Sequence, residues 1–280
     1  MTDENRSPAA DDAEVVETPG ALRPRRKGIY ILPNAITLAA LFASFYAIVM
    51  AINGRFESAA LGIFCAAILD SLDGRVARMT NTQSAFGEQM DSLCDMVGFG
   101  VAPALIAYEW ALKGLGKLGW IAAFVYCAGA ALRLARFNTN IGIVDKRFFQ
   151  GMPSPAAAAL VVGLIWVMDD AGFKEAHQID WLAWTAFAVT LFAGLTMVTN
   201  VPFYSFKVVG GRRTVPFAVI VAIALLIAVI NVHPPIVLFA IFCLYALSGY
   251  GVYGWRRMKG RPVSVIAIST DEPDEKGLHQ

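Results

Sequence analysis

A helix needs about twenty predominantly apolar residues to cross a bilayer, and this chain strings eight such stretches together. They run near 31–52, 57–78, 87–111, 118–138, 152–169, 180–200, 215–232 and 235–255. Inside lipid every backbone polar group must be satisfied within its own segment. The expected fold class is therefore all-α, a polytopic transmembrane helix bundle of about eight spans. Charged residues make up 16% of the chain, against about 25% in ordinary globular domains, and they collect in two tails and a few short connectors. That pattern excludes a soluble enzyme, a nucleic-acid partner and a secreted disulfide scaffold.

An even number of spans returns both termini to one side, and the distribution of basic residues selects that side. With both termini cytoplasmic, Arg23, Arg25, Arg26, Lys27, Arg75, Arg78, Arg133, Arg136, Lys146, Arg147, Lys207, Arg212, Arg213, Arg256, Arg257, Lys259 and Arg261 all lie inside. Only Arg55, Lys113, Lys117 and Lys174 then lie outside, together with the acidic Asp169, Asp170, Glu175 and Asp180. Residues 1–28 read as a disordered polar tail closed by a basic juxtamembrane cluster, with no apolar core of a signal peptide. Residues 259–280 read as a second polar tail.

Cys65, Cys94, Cys127 and Cys243 sit in apolar segments without a C-x-x-C pair, which leaves neither a zinc knuckle nor a redox motif. The three histidines, His177, His233 and His279, fall in expected loops or the tail. Acid–base or metal chemistry therefore falls to carboxylates.

Those carboxylates stand where a membrane helix ordinarily avoids them. Asp70 and Asp73 lie near the end of the second span, Asp91 and Asp95 near the start of the third. Four central carboxylates would cost roughly 10–14 kcal/mol as an upper bound. The spacings i, i+3 and i, i+4 put each pair on one face of its helix, and the short connector makes the two helices antiparallel neighbours, so all four can converge. Without a lysine or histidine among them, the cluster must hold cations or protons. Oxygen-only ligation favours two Mg²⁺ or Mn²⁺ ions. Two other readings stand beside this one: solvated helix ends, and a proton or cation pathway in a transporter. Gly74, Ala77 and Gly87 supply small surfaces beside the aspartates, and Arg78 is a natural phosphate ligand, or a snorkelling anchor.

The run Asp70-x-x-Asp73-Gly74-x-x-Ala77-Arg78, eight residues, Gly87, three residues, Asp91, three residues, Asp95 resembles the signature of the CDP-alcohol phosphatidyltransferases at every fixed position. The resemblance implies an integral membrane enzyme, usually a homodimer, that moves the phosphatidyl group of a CDP-linked lipid to an alcohol and releases CMP. By the same resemblance Asp70, Asp73, Asp91 and Asp95 hold two divalent cations, Mg²⁺ or Mn²⁺. Asp95 is then the preferred general base, with Asp91 beside it in the catalytic pair. Gly74, Ala77, Arg78 and Gly87, with Asp73, would face the CDP-lipid. The Pro33-Asn34-x-x-Thr37 pattern entering the first span is also shared, and would set Asn34 and Thr37 near the nucleotide.

Acceptor choice must come from outside that signature. Arg133 and Arg136, i, i+3 near the end of the fourth span, could hold a phosphate or a carboxylate bidentately, with Asn138 adding a polar contact; as positive-inside anchors they need no such role. The strings Leu132 to Asn138, Gln150 to Pro155 and Asn200 to Lys207 resemble phosphatidylserine synthases of the membrane-embedded bacterial and archaeal type. That likeness implies CDP-diacylglycerol and L-serine as substrates; on the chemistry of the guanidinium pair, serine's carboxylate would suit Arg133 or Arg136. It also implies a catalytic core at 29–210 followed by two additional helices at 211–258, in the inner membrane of a prokaryote with its site facing the cytoplasm. Glycerol phosphate, an inositol phosphate or choline are alternative acceptors. A cation-coupled transporter and a non-catalytic scaffold are the alternatives from other classes.

Overall fold

The computed structural model describes residues 31–139, 148–174, 176–204 and 217–259. The basic cluster at 23–27, Lys146, Arg147, Glu175, Lys207, Arg212, Arg213, Arg261 and both polar tails apart from Lys259 lie outside the described residues.

Helices account for each of the eight apolar stretches. They are α1 (Ile31–Ile52), α2 (Phe56–Met79), α3 (Ala85–Asp95) continued through a π turn (Met96–Val101) into α4 (Ala102–Trp110), α5 (Lys117–Thr139), α6 (Ser154–Asp170), α7 (Asp180–Val198), α8 (Phe217–Val232) and α9 (Pro234–Met258). Five are long and apolar enough to cross a membrane: Leu32–Ile52, Ala85–Trp110, Lys117–Thr139, Asp180–Val198 and Pro234–Met258. Of the others, α2 carries Asp70, Asp73, Arg75 and Arg78 in its later turns, and α6 and α8 are 17 and 16 residues long. This is an all-α membrane protein.

The bundle is organised around α6. Every residue from Ala156 to Trp166 is buried, as expected of a helix that is apolar on all sides, and it packs against α2, α4, α7 and α9. Small residues set the closest helix contacts. A Cβ at Gly62 of α2 would lie 2.9 Å from that of Ala47 of α1, and one at Gly194 of α7 2.7 Å from Cα of Tyr126 in α5. Tight crossing at glycine and alanine is how helices gain packing energy where lipid is as apolar as leucine. Of the last two helices, α9 lies on α6, while α8 packs mainly on α9.

One non-helical element matters to the site. β1 (Phe148–Gln150) and β2 (Pro202–Tyr204) form a two-stranded antiparallel ribbon, Phe149 opposite Phe203, joining the approach to α6 with the exit from α7.

The aspartate-bearing helices differ from the expected arrangement. α2 and α3 touch each other little, and both instead pack on α1. The turn between them, with Asn81 in the left-handed region at φ 51°, lets them splay over α1, and the space they leave is the cleft described next.

Candidate active site

The start of α1, the end of α2 and the start of α3 enclose a cleft of about 210 Å³. It is lined by Pro33, Asn34, Thr37, Asp73, Gly74, Ala77, Arg78, Thr82, Gln83, Ser84, Gly87, Glu88 and Asp91. All seven residues expected to face a CDP-lipid, Asn34, Thr37, Asp73, Gly74, Ala77, Arg78 and Gly87, are among them. Local sequence explains the walls. Ser84 caps α3, its Oγ accepting the Gly87 N–H at 3.0 Å, which satisfies one orphan donor of the first turn. Gly87 packs closely on its neighbours: a Cβ there would meet Ser84 Oγ at 3.2 Å and Asn34 Oδ1 at 3.3 Å, tighter than ordinary contact. Gly74 is bare for a different reason, since a Cβ there would meet only Arg78 Nη1, at 3.6 Å; the space above it is open cleft.

Beside this cleft Asp70, Asp91 and Asp95 come together, one carboxylate oxygen from each lying within 4.8 Å of the others. Asp70 and Asp95 are in hydrogen-bonding reach of one another, which two bare anions tolerate only with a proton or cation between them. At an effective dielectric of about 20, each ionised pair within that limit repels by at least about 3.5 kcal/mol. Arg133 acts electrostatically on Asp95, but one guanidinium cannot balance three carboxylates. Two oxygens on one Mg²⁺ stand at most about 4.2 Å apart, so side-chain movements under about 1 Å would close this trio on a hard cation. The donor set therefore fits a divalent metal.

Asp73 is apart from the trio. It is 4% exposed, and its Oδ2 accepts a 2.6 Å hydrogen bond from Thr37 Oγ1 on α1. The i, i+3 step from Asp70 turns Asp73 toward α1, where that hydroxyl holds one oxygen. Its carboxylate still lines the cleft together with Asp91.

The three residues expected to hold the acceptor have different surroundings. Arg133 donates from Nη1 to Ser154 Oγ, 2.7 Å away at the buried first turn of α6, and lies in the electrostatic range of both Asp95 and Tyr245. Arg136 is occupied by the protein itself. Its Nη1 donates to Val198 O and Asn200 Oδ1, its Nη2 to Gln150 O, Met197 O and Thr199 O, at 2.8 to 3.4 Å. It caps α7 and ties that end to the ribbon. Asn138 donates to Ser92 Oγ at 3.1 Å, linking α5 to α3 between the two aspartates of that helix.

The model of the CDP-alcohol phosphatidyltransferase family matches residues 30–196, more than half of the chain and all three walls of the cleft. The chain belongs to the CDP-alcohol phosphatidyltransferase family. Relatives named CDP-diacylglycerol–serine O-phosphatidyltransferase include one from Helicobacter pylori, 35% identical over 81% of this chain and 92% of that protein. Another, from Mycobacterium leprae, is 32% identical over 80% and 75%. A third, from Methanocaldococcus jannaschii, is 35% identical over 67% and 82%. As a CDP-alcohol phosphatidyltransferase the protein is a membrane transferase of phospholipid biosynthesis, and the cleft with its acidic trio is its candidate active site.

Two residues near that site carry no sequence signal of their own, and a third carries only an indirect one. Ser154 lies within the string Gln150 to Pro155 that carries the resemblance, but nothing in that string singles out its hydroxyl. Ser92 sits between two motif aspartates. Tyr245 belongs to α9, outside the matched region, and only the three-dimensional packing brings it toward Arg133.

Proposed function

We propose that this enzyme transfers the phosphatidyl group of CDP-diacylglycerol to L-serine, giving phosphatidylserine and CMP. The observation that carries the reading is the cleft, in which motif residues from three separate helices face one space beside the acidic trio. The acceptor is inferred from the relatives' printed names, at 32 to 35% identity.

In this reading the pyrophosphate lies along Gly74 and Ala77, where no side chain intrudes, with Arg78 at the rim to pair with a phosphate. Asp70, Asp73, Asp91 and Asp95 hold two divalent cations, Mg²⁺ or Mn²⁺. When bound, these supply positive charge to the pyrophosphate and to the departing CMP. Thr37 orients Asp73 for this task. Arg133, fixed by Ser154, receives serine's carboxylate. Asp95, on the same side, takes the proton from the serine hydroxyl as that oxygen attacks the β-phosphorus. One P–O bond forms to serine while the P–O bond to CMP breaks. Arg136 is a structural clasp in this scheme, and Asn138 steadies the α3 segment that bears Asp91 and Asp95.

The proposal extends to the setting: eight spans with both termini cytoplasmic, a catalytic core at 29–210, a homodimer, and the inner membrane of a prokaryote with its site open to the cytoplasm. Polar substrates and acyl chains can meet there, because the site sits at helix ends instead of mid-bundle.

The test is CMP release by the detergent-purified protein given CDP-diacylglycerol and Mn²⁺, with serine, glycerol 3-phosphate, inositol phosphate and choline supplied separately. Release that requires serine and Mn²⁺, and is abolished in Asp95→Asn, is expected. Release with another acceptor alone would replace serine. No release with any acceptor from a folded, metal-binding protein would refute the assigned reaction.

A further inference from the structure

The helix that carries Asp91 and Asp95 is not regular. Directly after Asp95 it widens, the Ala102 N–H reaching back five residues to Val97 O. Such π turns are rare and lie disproportionately at functional sites. Three residues bear on this widening. Pro103 has no N–H, so the carbonyl four residues earlier, that of Phe99, has no α-helical partner. Phe99 is buried, and its carbonyl instead accepts a 3.0 Å hydrogen bond from the hydroxyl of Tyr126 on α5. Tyr126 is itself fully buried, so no water substitutes for it.

The widening has a geometric effect. On an uninterrupted α-helix, at about 100° per residue, the buried residues Ala102, Pro103, Ala104, Ile106, Ala107 and Trp110 would centre about 90° round from Asp91 and Asp95. Six residues wound at the π pitch take out roughly 100°. The two faces then agree to within about 20°, so one rod can bury its apolar half in the bundle while turning both carboxylates toward Asp70.

We propose that Tyr126 is a positioning residue: by holding the Phe99 carbonyl it keeps the π turn that aims Asp91 and Asp95 at Asp70. The proposal rests on the reading of these aspartates as metal ligands.

The experiment compares Tyr126→Phe with the double variant Tyr126→Phe/Pro103→Ala by Mn²⁺ binding calorimetry and thermal melting in detergent. Phenylalanine removes one hydroxyl and keeps the ring. Alanine at 103 restores an N–H that can pair with Phe99 O in α-helical fashion. If Tyr126 only satisfied a carbonyl, the double variant would recover both stability and Mn²⁺ affinity. For a positioning residue, the single variant loses Mn²⁺ affinity by roughly tenfold or more, and the double variant regains its melting temperature without regaining the metal, because the helix has straightened. Wild-type Mn²⁺ affinity in the double variant, or in Tyr126→Phe alone, overturns the proposal. If the single variant is not recovered folded, the double variant decides by itself on the same criterion. Failure of the unmodified protein to bind Mn²⁺ would remove the metal reading as well, which separates the two failures.

Discussion

Arg136 offers the sharpest separation between a substrate ligand and a structural clasp. Its two terminal nitrogens donate to Gln150 O, Met197 O, Val198 O, Thr199 O and Asn200 Oδ1, four of them backbone carbonyls at or beyond the end of α7 or in the ribbon. Hydrogen bonds to a charged group contribute about 1.5–3 kcal/mol each, and a cation at a helix C-terminus adds about 0.3–1 kcal/mol. The side chain is half-buried, so water replaces part of what alanine would remove. A net loss of about 3 kcal/mol for Arg136→Ala follows from roughly two fully lost bonds. At about 2–4 °C per kcal/mol for a chain of this size, the melting temperature in detergent should fall on the order of 6–12 °C. Arg136→Lys should recover only part of it, since an ammonium has no planar fork to span five acceptors. The assay is a thermal melt followed by intrinsic fluorescence, alongside KM for both substrates below the transition. A melt unchanged within 2 °C or so, with KM for the acceptor raised, would refute the clasp and return Arg136 to the acceptor pocket.

Three further outcomes are expected. Gly74→Ala should melt slightly higher, because alanine is favoured over glycine in a helix by up to about 1 kcal/mol, yet it should raise KM for CDP-diacylglycerol, since its new methyl enters the cleft; unchanged KM would place the lipid elsewhere. Thr37→Val removes the donor to Asp73 at nearly constant volume, and should raise the Mn²⁺ concentration for half-maximal CMP release by roughly tenfold; an unaltered Mn²⁺ titration would deny Thr37 that orienting role. Arg133→Ala should raise KM for serine far more than KM for the nucleotide lipid, and equal effects on both would sink its assignment to the serine carboxylate.

The helices were legible because a bilayer leaves a chain few choices: length and apolarity mark each segment, and the structure has a helix at every one. The acidic trio was legible because i, i+4 spacing on one helix and a short connector to the next constrain where carboxylates can go. Its fine structure was not. That Asp73 turns to Thr37 depends on α1 lying beneath both other helices, a tertiary fact that the pair spacing does not encode. The π turn was hidden because nothing in the sequence links Pro103 to Tyr126, 23 residues on, whose hydroxyl bonds the Phe99 carbonyl that Pro103 leaves without an α-helical partner. Arg136 was ambiguous in principle: an arginine at a helix end has the same sequence context whether it faces substrate, solvent or a neighbouring carbonyl.

The cleft draws its lining from residues 33–91 alone, whereas Arg133, Ser154 and Tyr245 come much later in the chain. Synthesis at about 5–20 residues per second thus separates the two halves of the site by several seconds during membrane insertion. Through that interval the four aspartates are already present on α2 and α3, and Arg133, which acts on Asp95, has not yet been made. Counter-charge for the cluster must then come from Arg75 and Arg78 on α2 itself and from protons or cations of the surrounding water, until Arg133 arrives on α5.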